Sequence, residues 1–266
     1  MTNYKNNVAV ITGAASGIGK AIAEKCLLHE MAVVLADINK GKLDEVEKYL
    51  KKNKNSRIIS VTTNVADEND ISRLAEKTIS EFGKINFLFN NAGIAGGLGP
   101  IWEQSSSSIE NVMRINLFGT IYGIKIIVPI MLKQNDPCYI VNTTAGAGLL
   151  TGKGLSAYKA SKHAITAISE VLYADLKQIN SNIHVSLLIP HWVNTQMPKS
   201  LDETDPNIIQ RHLEHLQQFG MPPEAVAEII FLGMSKKQFY VFTNPDEHLP
   251  RIKQRMEAIL ATEYPI

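Results

Sequence analysis

Short runs of apolar, β-branched residues alternate along this 266-residue chain with longer segments whose apolar positions recur at helical spacing. The runs "VAVIT" (8–12), "AVVLAD" (32–37), "RIISVTTNV" (57–65), "INFLFNN" (85–91), "CYIVNTT" (138–144), "HVSLLIP" (184–190) and "FYVFT" (239–243) predict strands. The segments between them predict helices at about 17–29, 40–52, 67–82, 104–133, 156–180 and 222–235. Strands that are apolar almost throughout belong to a parallel sheet covered on both faces. With right-handed crossovers the pattern predicts an α/β fold, a Rossmann-type doubly wound parallel sheet of about seven strands with helices on both faces.

The rhythm breaks at about 196–221, where "QMPKSLDETDPNIIQRHLEHLQQFG" is polar and contains a short amphipathic helix at about 206–218. After the sixth strand such a segment overhangs the carboxyl ends of the strands, where ligands bind in these folds, so a substrate lid is expected. No repeat or linker interrupts the pattern, and residues 1–266 are expected to form a single domain. The apolar stretch "LFGTIYGIKIIVPIML" (117–132) is broken by Lys125 and Pro129. It is shorter than the roughly 20 residues a bilayer requires, which predicts a buried helix and no membrane partner.

Composition adds little to this picture. Charged residues make up 20% of the chain and the net charge is +1, which gives no electrostatic reason for a nucleic-acid partner. The two cysteines, Cys26 and Cys138, cannot build a disulfide framework or a zinc site. No metal is expected, and the chain reads as cytoplasmic, with no secretory signal before the first strand.

Chemistry first becomes legible at the turn after the first strand. There "VAVITGAASGIGKAIAEKCL" places Thr12-Gly13-x-x-x-Gly17-x-Gly19 between a strand and a helix. Glycines allow a tight turn and close approach of the backbone to a pyrophosphate, and the helix N-terminus offers free amides and a positive dipole. Asp37 ends the second strand, 24 residues beyond Gly13. A carboxylate there accepts from a ribose 2′-hydroxyl and repels a 2′-phosphate, so the cofactor is expected to be NAD rather than NADP. "NNAG" (90–93) ends the fourth strand with small residues and an Asn pair suited to a close backbone approach. Tyr158 and Lys162 stand four apart on a predicted helix and therefore share a face.

Together these elements resemble the classical short-chain dehydrogenases/reductases. The matching residues are "TGAASGIG" (12–19), Asp37, "NNAG" (90–93), Asn116 in "MRINLFGT", "YKASK" (158–162), and Pro190, Val193 and Thr195. The resemblance implies an NAD(P)(H)-dependent alcohol dehydrogenase or carbonyl reductase that moves hydride between nicotinamide and an alcohol or carbonyl carbon. It implies Tyr158 as general acid/base, Lys162 as the charge that lowers the phenol's pKa, and Asn116 as holder of a water in the proton relay. The implied cofactor contacts are Gly13, Ser16, Gly17, Ile18, Gly19, Asp37, Ile38, Asn64, Val65, Asn91, Ala92, Gly93, Tyr158, Lys162, Pro190, Val193 and Thr195. A small-molecule alcohol or carbonyl substrate and a homodimer or homotetramer built on helices 104–133 and 156–180 are implied as well.

Three positions depart from that pattern. Ala145 stands where the family carries its catalytic Ser, and a lost donor of this kind costs about 10²–10³ in rate. Thr144 can replace it if the strand end bulges, although one step along a regular strand points the side chain to the opposite face. Ser156 is a weaker substitute. His191 follows Pro190 where Gly is usual, and with Trp192 it is expected to border the substrate beside Ala145. Asn64 replaces an Asp that meets the adenine, and its carbonyl oxygen can still accept. Ala145 and His191 leave open a nucleotide-binding sensor or scaffold with weak or lost redox activity, or a repurposed non-redox pocket.

Overall fold

The computed structural model describes residues 4–52, 56–134, 136–203 and 205–264. The strands β1 (Val8–Thr12), β2 (Ala32–Asp37), β3 (Ile58–Thr62), β4 (Phe87–Asn90), β5 (Cys138–Thr143), β6 (Ile183–Ile189) and β7 (Tyr240–Phe242) form one sheet. Their order is β3-β2-β1-β4-β5-β6-β7, and every pairing is parallel. The direction of winding reverses between β1 and β4. This leaves a crevice outside their carboxyl ends, the usual ligand position in such sheets.

Strand residues point alternately to the two faces, and both faces are covered, so no hydrophobic-polar alternation survives in the sequence. Ile11, Leu35 and Phe89 face a layer made by α1 (Gly17–Leu28), α2 (Lys40–Leu50) and α8 (Pro223–Ser235), which contribute Ile22, Leu43 and Ile230. Val10, Val34 and Ile140 face the opposite layer, where α3 (Glu68–Phe82), α5 (Gly119–Gln134) and α6 (Ser156–Gln178) contribute Leu74, Ile127 and Leu176. Fully burying side chains of this size contributes about 1.5–3 kcal/mol each.

The helix expected at 104–133 is interrupted. It consists of α4 (Ser106–Val112), a π-helical turn at Met113–Phe118, and α5. The complete run, Ser106–Gln134, has 29 residues and is long and apolar enough to cross a membrane by length and composition. The length argument made from the sequence is therefore corrected: packing, and not length, settles the role of this helix. Thr120, Gly123, Ile127, Val128 and Met131 are buried, and Gly123 lies so close to Asn90 that a Cβ there would collide with its side-chain oxygen.

The 196–221 segment forms a 3-10 turn at Met197–Ser200 followed by α7 (Pro206–Phe219). It is fastened at both ends. Gly96 N donates to Ser200 O at 3.2 Å, Asp202 N to Gly96 O at 3.1 Å, and Ala95 N to Ser200 Oγ at 2.9 Å. At the other end Val193 pairs with Met221. One helix went unpredicted from the sequence: α9 (Pro245–Leu260), of which only His248 is buried.

Candidate active site

The turn after β1 requires glycine for two separate reasons. Gly13 has φ +67, and a Cβ there would sit 3.0 Å from Ala92 Cα; a Cβ on Gly19 would collide with the carbonyl of Gly13. The α1 N-cap, Ser16, makes no side-chain cap hydrogen bond, and the first intrahelical bond joins Lys20 N to Ser16 O. The amides of Gly17, Ile18 and Gly19 precede that bond and face the end of the helix, as anion-binding helix termini do. Thr195 closes this loop from the far side, since its Cγ2 would lie 3.0 Å from a Cβ on Gly17.

Asp37 joins the loop to β2. Its Oδ2 accepts from Ala15 N at 3.1 Å and its Oδ1 from Asn39 N at 2.9 Å. Ile38 beside it is largely exposed and offers an apolar platform at the strand edge. Asn64 Oδ1 accepts from Ala66 N at 3.1 Å, and the Asn64 amide donates to Asp70 Oδ2, so one lone pair of that side-chain oxygen is already used. Val65 packs against the start of α5 at Gly119. Thr12, which sequence reasoning treated only as part of a motif, ties the two halves of the site together. Its hydroxyl donates to Phe89 O and accepts from the amides of Asn91 and Ala92, while Asn91 Nδ2 donates to Thr12 O.

Asn116 is fully buried in the π-turn. Its Oδ1 accepts from Ile94 N at 2.8 Å, and its Nδ2 donates to Ile94 O at 3.0 Å and to Ser161 Oγ at 3.1 Å. One side chain thus clamps the loop after β4 and the helix carrying Tyr158. Gly93 lies between Asn116 and Lys162, with a Cβ there 3.2 Å from Asn116 Oδ1 and 3.6 Å from Lys162 Nζ. Turns of this widened type are frequent at functional sites. The Asn116 carbonyl accepts from Thr120 Oγ1 at 2.9 Å.

Lys162 is buried, and its Nζ donates to Thr143 O at 2.9 Å while standing 5.5 Å from the centre of the Tyr158 ring. Burial pushes the Lys162 amine down to about 8 and the Tyr158 phenol up to about 12. Within the protein's own field both shifts favour neutral forms, opposite to the lowered phenol pKa expected from the sequence.

The three departures resolve unequally. Ala145 is extended (φ −165), and its carbonyl accepts from Gly148 N at 2.8 Å to start a short turn. Thr144 does not bulge toward it. Its hydroxyl is buried, donates to Lys162 O at 2.8 Å and lies 3.3 Å from Thr166 Oγ1, so it is consumed in joining β5 to α6. The strand's two-residue period prevails, and the Thr144 hydroxyl points toward α6 rather than along the Ala145 side chain. His191, expected to meet substrate, contacts α9. Its Nε2 lies 2.9 Å from Glu247 Oε1, and its amide donates to Thr243 Oγ1. Trp192 is half exposed and meets His215 of α7 edge-on at 5.3 Å. Pro190 O accepts from Gly146 N at 3.3 Å, which links the loops after β5 and β6. Glu247 and His248 were missed because the α9 sequence lacks a strong buried stripe.

Comparison with known proteins adds an independent line. The family model described as short chain dehydrogenase matches residues 7–206. A CLA biosynthesis dehydrogenase/reductase of Lactiplantibacillus plantarum is 31% identical over 280 residues, covering 100% of this chain and 97% of the relative. A diacetyl reductase [(S)-acetoin forming] of Staphylococcus epidermidis is 31% identical over 198 residues, covering 74% of this chain and 76% of the relative. The crystal structure of a short chain dehydrogenase/reductase from Burkholderia phymatum in complex with NAD superposes with a TM-score of 0.94 at 34% identity, covering 100% of this chain and 98% of that one.

Proposed function

The chain belongs to the short-chain dehydrogenase/reductase family of oxidoreductases, and from that premise we propose that it is an NAD-dependent alcohol dehydrogenase or carbonyl reductase. The observation that carries the reading is the buried Lys162, whose amine is held by Thr143 O at 2.9 Å and stands 5.5 Å over the Tyr158 ring. A lysine without a carboxylate partner is costly to bury. Strongly shifted titratable groups next to each other mark functional sites more often than structural ones.

The residues fit a dinucleotide. The amides of Gly17, Ile18 and Gly19 suit a pyrophosphate, and the Asp37 carboxylate retains acceptor capacity for ribose hydroxyls while repelling a 2′-phosphate. Support comes also from the NAD complex of the Burkholderia phymatum protein. When bound, NAD(H) supplies the hydride donor or acceptor. In the reducing direction Tyr158 gives its phenolic proton to the oxygen of a carbonyl whose carbon has received hydride; in the oxidising direction it takes that proton back. Lys162 favours the phenolate by its charge, and Asn116 holds the Tyr158 helix and the loop after β4 in register. The substrate pocket is bounded by 93–102, 145–150, Trp192 and the 196–221 lid. Apolar side chains exposed on α5 and α6, among them Leu132, Val171 and Tyr173, support a homo-oligomer joined through these helices.

The test is a fluorescence titration with NADH and NADPH, followed by turnover on diacetyl, acetoin and a graded set of ketones and secondary alcohols. The expected result is preferential NADH binding with reduction of at least one carbonyl. Tight NADH binding with no turnover across the set favours the sensor reading that Ala145 motivates.

A further inference from the structure

The first turn of α9 is keyed into both loops that flank Tyr158 and the glycine loop. Glu247 Oε1 lies 2.9 Å from His191 Nε2 and 3.9 Å from Arg251 Nη1, while Asn244 Nδ2 donates to Glu247 Oε2 at 3.4 Å. His191 is held at its other end as well, its amide donating to Thr243 Oγ1 at 2.9 Å. Next along the helix, His248 is buried and packs against Gly146 so closely that a Cβ on Gly146 would collide with its ring. Its ring also meets His191 at 5.1 Å and Phe242 at 5.8 Å between centroids. Gly146 N in turn donates to Pro190 O.

These contacts make a three-way joint between the residue after Ala145, the Pro190–Thr195 loop and α9. The rest of the helix adds little to it, since among the residues of α9 only His248 is buried. Pro250 lacks the N–H that would bond to Asp246 O, so the first turn is partly independent of the helix that follows. Downstream of the joint, the same loop carries Trp192, pairs Val193 with Met221 and sets Thr195 against Gly17.

We propose that Glu247 is a positioning residue: through its 2.9 Å contact with the His191 imidazole it fixes the Pro190–Thr195 loop, and so makes α9 part of the cofactor and substrate site. This inference rests on the hydride-transfer reading above. The His at 191 thereby acquires a specific use, because the small residue otherwise suited to that turn has no side chain to reach α9.

The test uses the full chain in a Trp102→Phe background, which leaves Trp192 as its sole tryptophan. Glu247→Ala should raise the Kd for NADH about fivefold, the upper scale for one partly exposed ion pair. It should also shift Trp192 emission to the red as the loop loosens. Glu247→Gln should restore both, because its carbonyl oxygen reaches the same position beside the imidazole. In a His191→Ala background, Glu247→Ala should add no further change to either readout. A silent Glu247→Ala variant overturns the proposal, as do effects that add in the double variant. Trp192 emission requires no turnover, so the coupling is read even if no carbonyl is reduced; an inactive wild type would count against the proposed reaction alone.

Discussion

Burial acts on the Tyr158–Lys162 pair by penalising whichever form carries charge, raising the phenol to about 12 and lowering the amine to about 8. The proposed acid/base role needs positive charge near the phenolate to offset this burial, which Lys162 and an oxidised nicotinamide ring would supply. Tyr158→Phe should lower kcat by about 10²–10⁴-fold, the range for loss of a general acid, with a far smaller effect on the NADH Kd. Retained turnover in a stopped-flow assay would refute the assignment. Thr144 makes a contrasting case. Thr144→Val removes a buried hydroxyl, yet Lys162 O keeps Thr166 Oγ1 at 3.1 Å. The expected cost is about 0.5–1.5 kcal/mol in a denaturant titration. Turnover should stay within about threefold of wild type, whereas a fall of 10²–10³ would make Thr144 the missing donor after all.

Among the elements, the helix run from α4 to α5 and the 196–221 segment both bond to the loop after β4. A regular helix through Met113–Phe118 would place Asn116 at a different angle; the π-turn presents its amide to Ile94 and Ser161 together. The 196–221 segment depends on a few backbone bonds to the loop after β4. Ser200→Ala removes the acceptor for Ala95 N, a loss of about 1 kcal/mol that should speed proteolytic cleavage within 196–221 about fivefold while leaving the global Tm nearly unchanged. An unaltered cleavage rate would show that the segment is not held closed there.

Across the whole molecule, Lys162 links the site to stability. Its pKa is about 8 in the fold and about 10.4 when unfolded. The unfolded chain therefore binds more protons between these values, and stability should rise with pH through that window and be lowest below pH 8. The shift corresponds to at most about 3 kcal/mol. Lys162→Met should raise Tm at pH 7, and the difference from wild type should shrink at pH 10. A Tm difference that does not change with pH would contradict the assigned cause. Stability given up at a buried lysine is the trade-off expected if it serves the proposed reaction.

What could be read in the sequence and what could not divide along physical lines. The alternation of apolar strands and helical segments predicts the doubly wound sheet, because local periodicity and full burial of each strand leave direct marks on residue choice. The glycine turn at Gly13–Gly19 and the Tyr158–Lys162 spacing are legible for the same reason: each is set by backbone conformation over a few residues. The direction of the Thr144 hydroxyl, the clamp made by Asn116 and the His191–Glu247 contact are not local. Each joins segments far apart in the chain, and its geometry is settled only when the layers pack. The sequence by itself thus determined the sheet, the cofactor turn and the candidate acid/base. Tertiary structure alone decided where the hydroxyls and imidazoles point, because packing and hydrogen-bond satisfaction across elements, not residue type, choose those directions.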